Sequence, residues 1–435
     1  MKFYNRNKEL QLLHDWEELS AEAAQMTIVI GRRRVGKTTL IKKAFENKKM
    51  IYFFCTKKNE VLLCEEFVAI AKDILGTDIL EYRNFRDLFR YLMRISTEQN
   101  FTLVIDEFQE FYYINPAIYS EMQNVWDEMK DHAKINLVLY GSIYSLMKRI
   151  FENSREPLFQ RADHRIVLRP FTVDVIKDII RDHFPSFTPE DLLAFYTVTG
   201  GVARYIELLI KSKAFTKEKI LDTIFSENSF FLEEGKNVLI EEFGKDYTVY
   251  FSILSLIASS KTSRPEIEGE LGVSVGPQLK TLEEDFNVIT RTSPIFSKPN
   301  TRQIRYYIDD NFLNFWFRFI YKYRSAVEIS NLGFIRQVVE RDYNTYIGRI
   351  LEKYFRDQLI LSKEWSAIGS YWENGNKNEI DIVAVDEFNK RMVIGEVKHN
   401  PNEINLGTLE YKAKNIAASH KKYTIEYKGF SPDDM

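Results

Sequence analysis

Cysteine is nearly absent from this sequence: Cys55 and Cys64 are the only two in 435 residues, too few for a disulfide framework or a Cys-rich zinc site. Histidine is scarce too, with six scattered residues and no H-x3-H or HExxH pair, so a dedicated zinc centre is not expected. The chain has no run of about 18 uncharged apolar residues, and its opening segment MKFYNRNKEL is polar. Neither a membrane span nor a secretory leader is expected, and the setting reads as cytoplasmic. Neither sign of charge prevails, since 60 Lys and Arg stand against 63 Asp and Glu. Any nucleic-acid contact must therefore come from a local patch. What the chain does have is length and 45% hydrophobic residues. At roughly 100–200 residues per domain, that length implies three or four cores.

Between residues 26 and 168, short β-rich runs recur with helical stretches between them: MTIVIG, MIYFFC, FTLVID, INLVLYG and RIVL. Continuous apolar strands at crossover spacing predict an α/β fold with a parallel sheet covered on both faces. In such a fold the chemistry gathers at the C-terminal ends of the strands. The first of these ends carries Gly31-x4-Gly36-Lys37-Thr38, the pattern of a phosphate-binding P-loop. Its candidate set comprises Gly31, Arg32, Arg33, Arg34, Val35 and Gly36 in the loop, with Lys37, Thr38 and Thr39 opening the helix. Glycines let successive N–H groups face phosphate oxygens, Lys37 reaches the β and γ phosphates, and the Thr38 hydroxyl can ligand Mg²⁺.

The strand TLVID ends in Asp106-Glu107. A carboxylate just beyond a buried strand can hold Mg²⁺ or its waters, and the next acid can orient and deprotonate an attacking water. Binding and hydrolysis of ATP would then have different owners. LVLYGS puts Ser142 at another strand end, either to sense the γ-phosphate or attacking water or to cap the following helix. Arg161 precedes the last strand, where it would reach a neighbouring subunit's nucleotide or pair with a surface acid. The first option implies a homo-oligomer.

Residues 379–398, EIDIVAVDEFNKRMVIGEVK, place acids inside apolar strands. A hairpin closed by the loop 387–390 pairs residues whose numbers sum to 777, setting Asp381 opposite Glu396 and Glu379 opposite Lys398. Directly opposed residues lie about 5 Å apart at Cβ, a clamping distance for two carboxylates. Opposed and buried like charges need compensation. A divalent cation held by Asp381 and Glu396, with Lys398 stabilising developing charge, would supply it; cross-strand ion pairs through Lys398 would supply it otherwise. The following segment TLEYKAKNIAA reads as a basic helix bearing Lys412 and Lys414.

On FYNRNKELQLL, GRRRVGKTT, LVIDEFQ, and PLFQRAD followed by TGGVARYIE, the chain resembles the archaeal-type AAA+/STAND-like P-loop ATPases. The resemblance implies an adenine-side role for Arg6 and a helical lid in which Arg204 contacts nucleotide in the same subunit. Ala203 stands where proline is frequent in that family, and Gly200-Gly201 would otherwise simply separate two helices. Asp381 with Glu396-x-Lys398 resembles the PD-(D/E)xK nuclease superfamily, although Ile380 replaces the usual proline. That likeness implies Glu352, on the preceding helix, as a third ligand; a surface ion pair is the plain alternative for it.

The expected domains are a P-loop ATPase core at 1–170, a helical lid at 171–242, a winged helix at 243–325 and a small restriction-endonuclease-like α/β domain at 326–435. In the winged helix, Glu283, Glu284 and Asp285 would repel phosphate from the third helix. Arg291, Lys298, Arg302 and Arg305 would make the wing the DNA-facing element, unless the domain is a connector relaying nucleotide state. The implied function is an ATP-binding, ATP-hydrolysing switch using Mg²⁺, coupled to a nuclease-like domain acting on DNA with Mg²⁺ or Mn²⁺. The alternative is a nucleotide-gated DNA- or protein-binding protein whose C-terminal domain is catalytically inactive.

Overall fold

The computed structural model describes residues 2–244, 247–375 and 377–435. The chain divides into two compact units, Phe3–Arg169 and Pro170–Met435, the latter with Lys2.

The first unit contains strands β1 (Gln25–Ile30), β2 (Met50–Phe54), β3 (Phe101–Asp106), β4 (Ile135–Tyr140) and β5 (His164–Val167). They form one sheet in the order β2-β3-β4-β1-β5, and every pairing is parallel. Each expected run became a strand: the central β1, β3 and β4 are covered on both faces, whereas β2 and β5 each expose part of one face. Met26, Ile28 and Ile30 point into one core with Phe67, Phe89 and Trp126. Val29, Val104 and Val138 point into the other with Leu13, Leu40 and Ile41. β1 and β3 flank β4, so the ends bearing Gly31 and Asp106 stand on either side of Tyr140.

In the second unit, residues 173–243 are entirely helical, in five helices. Thr188 and Asp191 form a reciprocal capping box at Pro189, which starts the second of them. Three helical segments follow over 247–285, then the antiparallel pair β6 (Ile289–Thr292) and β7 (Arg305–Ile308). A 31-residue helix, Leu332–Ser362, leads into β8 (Ala367–Glu373), β9 (Lys377–Asp386), β10 (Arg391–Val397) and β11 (Thr424–Phe430). Their order is β11-β10-β9-β8, with β11 parallel to β10 and the other pairs antiparallel.

The β9–β10 hairpin has the expected register: its five paired positions, from Arg391–Asp386 to Gly395–Ile382, each sum to 777. The loop is closed by Asp386, whose Oδ1 accepts the N–H of Phe388 at 3.1 Å and of Asn389 at 3.0 Å. Val383, Val385, Met392 and Ile394 share a core with Leu409, Ala413 and Ile416 of the next helices.

In the first unit, the Trp126 ring is almost fully buried in the larger core. Trp126→Ala should cost about 3–5 kcal/mol, measured by denaturant unfolding as a loss in that unit's transition; a loss below about 1 kcal/mol would contradict the packing.

Candidate functional site

The chain leaves β1 at Ile30, passes through the loop 31–36 and enters the helix Lys37–Ala44. At Gly31 a side chain has no room, because a Cβ would sit 2.6 Å from the Leu168 carbonyl oxygen. Gly36 turns into the helix at φ 97°, in the left-handed region that favours glycine. No side chain caps this helix, which leaves its first N–H groups as an anion site. Lys37 is buried, and its Nζ donates to the carbonyls of Gly31 at 2.6 Å and Arg32 at 3.0 Å. The ammonium therefore lies inside its own loop. Val35 is buried in the core beside it, Arg32 and Arg33 are half-buried, and Arg34 and Thr39 are exposed.

Asp106 ends β3 and is 5% exposed. Tyr52, from neighbouring β2, donates its hydroxyl proton to Asp106 Oδ2. That hydroxyl also stands 3.1 Å from the hydroxyl of Tyr140 at the end of β4. Burial pushes the Asp106 carboxyl above the usual carboxylate range, although the phenol hydrogen bonds pull it down. Burial likewise raises both phenols. Two hard oxygen donors, the Thr38 hydroxyl on the helix after the loop and the Asp106 carboxylate at the end of β3, make a donor set that fits Mg²⁺.

Glu107 adopts φ 54°, a conformation that costs a non-glycine residue about 1–3 kcal/mol and clusters at functional sites. Its Oε2 accepts the Ser142 N–H at 3.1 Å, the Ser142 hydroxyl at 2.7 Å and the Gln109 amide at 2.5 Å. Ser142 does not cap the following helix, whose cap position is Ile143. The fold therefore unites Lys37, Thr38, Asp106, Glu107 and Ser142 in one unit. Sequence reasoning missed Tyr52, Tyr140 and Gln109, because an aromatic at a strand end reads as core and a glutamine after Asp-Glu carries no motif.

The arginines are otherwise engaged. Arg6 is buried, and its guanidinium donates to the Arg169 carbonyl at 2.6 Å and to Glu9 at 3.3 Å. Arg161 pairs with Asp127 at 2.9 Å, the surface-acid alternative. Arg204, in the second unit, pairs with Glu207 at 2.8 Å and lies over the Phe230 ring.

At the C-terminal hairpin, Asp381 and Glu396 fall at the first position beyond the paired ladder. Asp381 Oδ2 accepts the Val397 N–H at 2.8 Å, which ties the two strands there. Glu396, 6% exposed, is 3.4 Å from Lys412 and 3.9 Å from Lys398, and accepts the Asn405 N–H at 3.2 Å. Burial, and then the charge of Glu352, push the Asp381 carboxyl up to about 7. Glu352 itself lies 3.6 Å from Arg349 and 4.0 Å from Arg356. Arg356 also donates to Ser370, whose hydroxyl donates to the Asp381 carbonyl.

One expectation fails here. Glu379 does not join this face opposite Lys398, because the β8–β9 register shifts between Gly369 and Tyr371, adding a β9 residue near Asp381. Glu379 instead pairs with Arg305 at 2.5 Å. Among the described residues no group of three or more His, Cys, Asp or Glu is gathered to hold a metal. A divalent ion would thus have two carboxylates, Asp381 and Glu396, plus substrate or water oxygens, a set that suits Mg²⁺.

Of the wing cations, Arg291, Lys298 and Arg302 are exposed, while Arg305 is tied to Glu379 and lies 4.3 Å over the Trp372 ring. A cleft of about 520 Å³ between the β6–β7 connection and β8 is lined by Phe296, Gln303, Trp372, Glu373 and Asn415 among others, and includes neither Asp381 nor Glu396.

The loop, the buried acid and the sheet order define a P-loop nucleotide-binding fold. Residues 3–209 match a family described as an ATPase domain predominantly from Archaea, and residues 316–416 match "Archaea bacterial proteins of unknown function". A Walker-type ATPase of Pyrococcus abyssi superposes with a TM-score of 0.56 at 18% identity, covering 73% of this chain and 96% of that one. An ORC2 protein of Aeropyrum pernix, in ADPNP–ADP complexes, superposes with a TM-score of 0.51 at 14% identity, covering 78% and 96%. At these identities the likeness concerns the fold. A protein of Methanocaldococcus jannaschii is 29% identical over 406 residues, 91% of this chain and 87% of its own length. An ATP-binding protein of the same organism is 53% identical over 49 residues, 11% of this chain and 78% of its own. The chain is a P-loop ATPase whose residues 3–209 are similar to that archaeal ATPase domain. No helix among its described residues is long and apolar enough to cross a membrane.

The Asp381 shift has a pH signature. Because the folded-state pKa is raised, the folded protein holds a proton that the unfolded chain has lost, so this group's contribution falls as pH rises from about 4 through about 7. Asp381→Asn removes that dependence. Relative to the parent it should gain about 2 kcal/mol between about pH 5.5 and about pH 8, measured by denaturant unfolding at the two pH values. Parallel stability profiles for the two proteins would contradict the buried-acid assignment.

Proposed function

We propose that this ATPase is a nucleotide-driven switch that controls a nuclease-like C-terminal domain acting on DNA. Lys37 inside the phosphate loop is the observation that carries the nucleotide half. Thr38 and Asp106 would hold Mg²⁺, which when bound with ATP neutralises phosphate charge. Glu107 would orient the attacking water after leaving its bonds to Ser142 and Gln109, and Ser142 would report whether it has left. Arg6 would serve the adenine side. Arg204 would belong to a lid over 171–242, and Arg161, released from Asp127, to a neighbouring subunit in a homo-oligomer. Lys37→Ala should lower ATP affinity and turnover by at least about 100-fold, a loss of about 2.7 kcal/mol, as read by nucleotide titration and phosphate release. Unchanged binding and turnover would reject the site.

For the C-terminal domain, the hairpin register supports a metal-dependent reading, because it puts Asp381 and Glu396 at opposed positions with Lys398 two residues on. Asp381 and Glu396 would hold Mg²⁺ or Mn²⁺ with phosphate oxygens, Lys398 would stabilise charge on the phosphate, and Glu352 would be an outer partner. The helical segments over 247–285 and the β6–β7 hairpin support a winged helix that presents Arg291, Lys298 and Arg302 to DNA.

A second reading rests on charge. Lys398, Lys412, Arg349 and Arg356 already stand beside the acids, which suits a catalytically silent scaffold gated by nucleotide. The two separate on one assay: DNA incubated with protein, ATP and Mg²⁺ or Mn²⁺ should be nicked by the parent and about 100-fold more slowly by Glu396→Ala. Equal nicking by the two, or none by either, rejects the nuclease reading. Salt-sensitive DNA binding without cleavage, abolished by charge reversal at Arg291, Lys298 and Arg302, would favour the scaffold.

A further inference from the structure

We infer that Tyr52 and Tyr140 are positioning residues for the Mg²⁺–nucleotide site, forming a directed hydrogen-bond relay from Tyr140 through Tyr52 to the Asp106 carboxylate. The inference rests on the proposed assignment of Thr38 and Asp106 as the groups that hold the ion.

The direction of the relay follows from the chemistry of its ends. An ionised carboxylate accepts and cannot donate. Tyr52, bonded to Asp106 Oδ2, must therefore donate its only proton there. Its contact at 3.1 Å with Tyr140 then requires Tyr140 to donate. Tyr52 thus gives one proton and receives one, so its hydroxyl is held from both sides. At the other end, Asp106 Oδ1 accepts the Glu107 N–H at 2.8 Å, and with Oδ2 fixed by Tyr52 the carboxylate plane is held on both oxygens.

The placement is a product of the sheet. β3 lies between β2 and β4, so Tyr52 and Tyr140 reach its end from the two sides and meet beside Asp106. Tyr140 is 1% exposed, and a buried phenol retains its position only with its hydroxyl satisfied. Partners of this outer kind orient the groups that touch a metal, and losing them typically lowers metal affinity about 10–100-fold.

The test is equilibrium binding of a fluorescent non-hydrolysable ATP analogue to the full chain, with excess Mg²⁺ or with EDTA. For Tyr52→Phe and Tyr140→Phe, affinity in EDTA should stay within about twofold of the parent, while the gain in affinity on adding Mg²⁺ shrinks about 10-fold. The double variant should lose no more than either single one, because each breaks the same chain. Tyr52 is only half-buried, so its phenylalanine variant keeps the test alive if Tyr140→Phe folds poorly by circular dichroism. Full retention of the Mg²⁺ gain in a folded Tyr52→Phe overturns the relay. Absence of any Mg²⁺ gain in the parent overturns the assignment of Thr38 and Asp106 on which the relay rests.

Discussion

A carboxylate removed from water at the end of a doubly buried strand is the constraint around which the ATPase unit is built. Asp106 is there because β3 is apolar on both faces and must stop where the loop carrying Lys37 lies. Burial alone would favour its neutral form, and the protein answers with donors: the Tyr52 hydroxyl on one oxygen and the Glu107 N–H on the other. The same economy governs Lys37, whose buried side-chain nitrogen donates to two loop carbonyls. A phosphate entering this loop would meet a cation already desolvated and already positioned, so little reorganisation is left for the binding step. Glu107, held by Ser142 and Gln109 in a strained conformation, is the group with most to gain from a change of partner.

The C-terminal acids pose the same problem with a different answer. Two carboxylates opposed on a hairpin repel each other, and here they are balanced by unequal means. Glu396 is ringed by Lys398, Lys412 and a backbone N–H, whereas Asp381 has one backbone N–H and the unfavourable charge of Glu352, and its proton affinity rises accordingly. The asymmetry means that Asp381, favoured as an anion only by the Val397 N–H and the charge of Lys398, is the less compensated of the two acids. A cation there would relieve the cost, as would a proton.

Much of this was legible in the sequence. The strands of the parallel sheet were visible, the three central ones because a strand buried on both faces has few polar positions to blur it, and the hairpin register followed from a four-residue loop and strict alternation. The strands β8 and β11 were not foreseen: half their positions face outward, so their apolar signal is diluted. The loop Lys37 and the acids Asp106 and Glu107 could be named from spacing. Tyr52 and Tyr140 could not, because only the strand order β2-β3-β4, a non-local fact, brings them together beside Asp106. The departure of Glu379 has a similar origin, since a register shift between β8 and β9 leaves no mark in the residues themselves. Arg349 and Arg356 escaped notice because their meaning depends on which face of a long helix meets the sheet.

The central claim is that the phosphate loop and the end of β3 form one site for a cation and a nucleotide. A crystal grown with Mn²⁺ and a non-hydrolysable ATP analogue tests it most directly through the anomalous signal of the metal. The account predicts an anomalous peak within coordination reach of the Thr38 hydroxyl and the Asp106 carboxylate or its bound water, with phosphate density beside Lys37. Phosphate density elsewhere, or a peak remote from both residues, would contradict it.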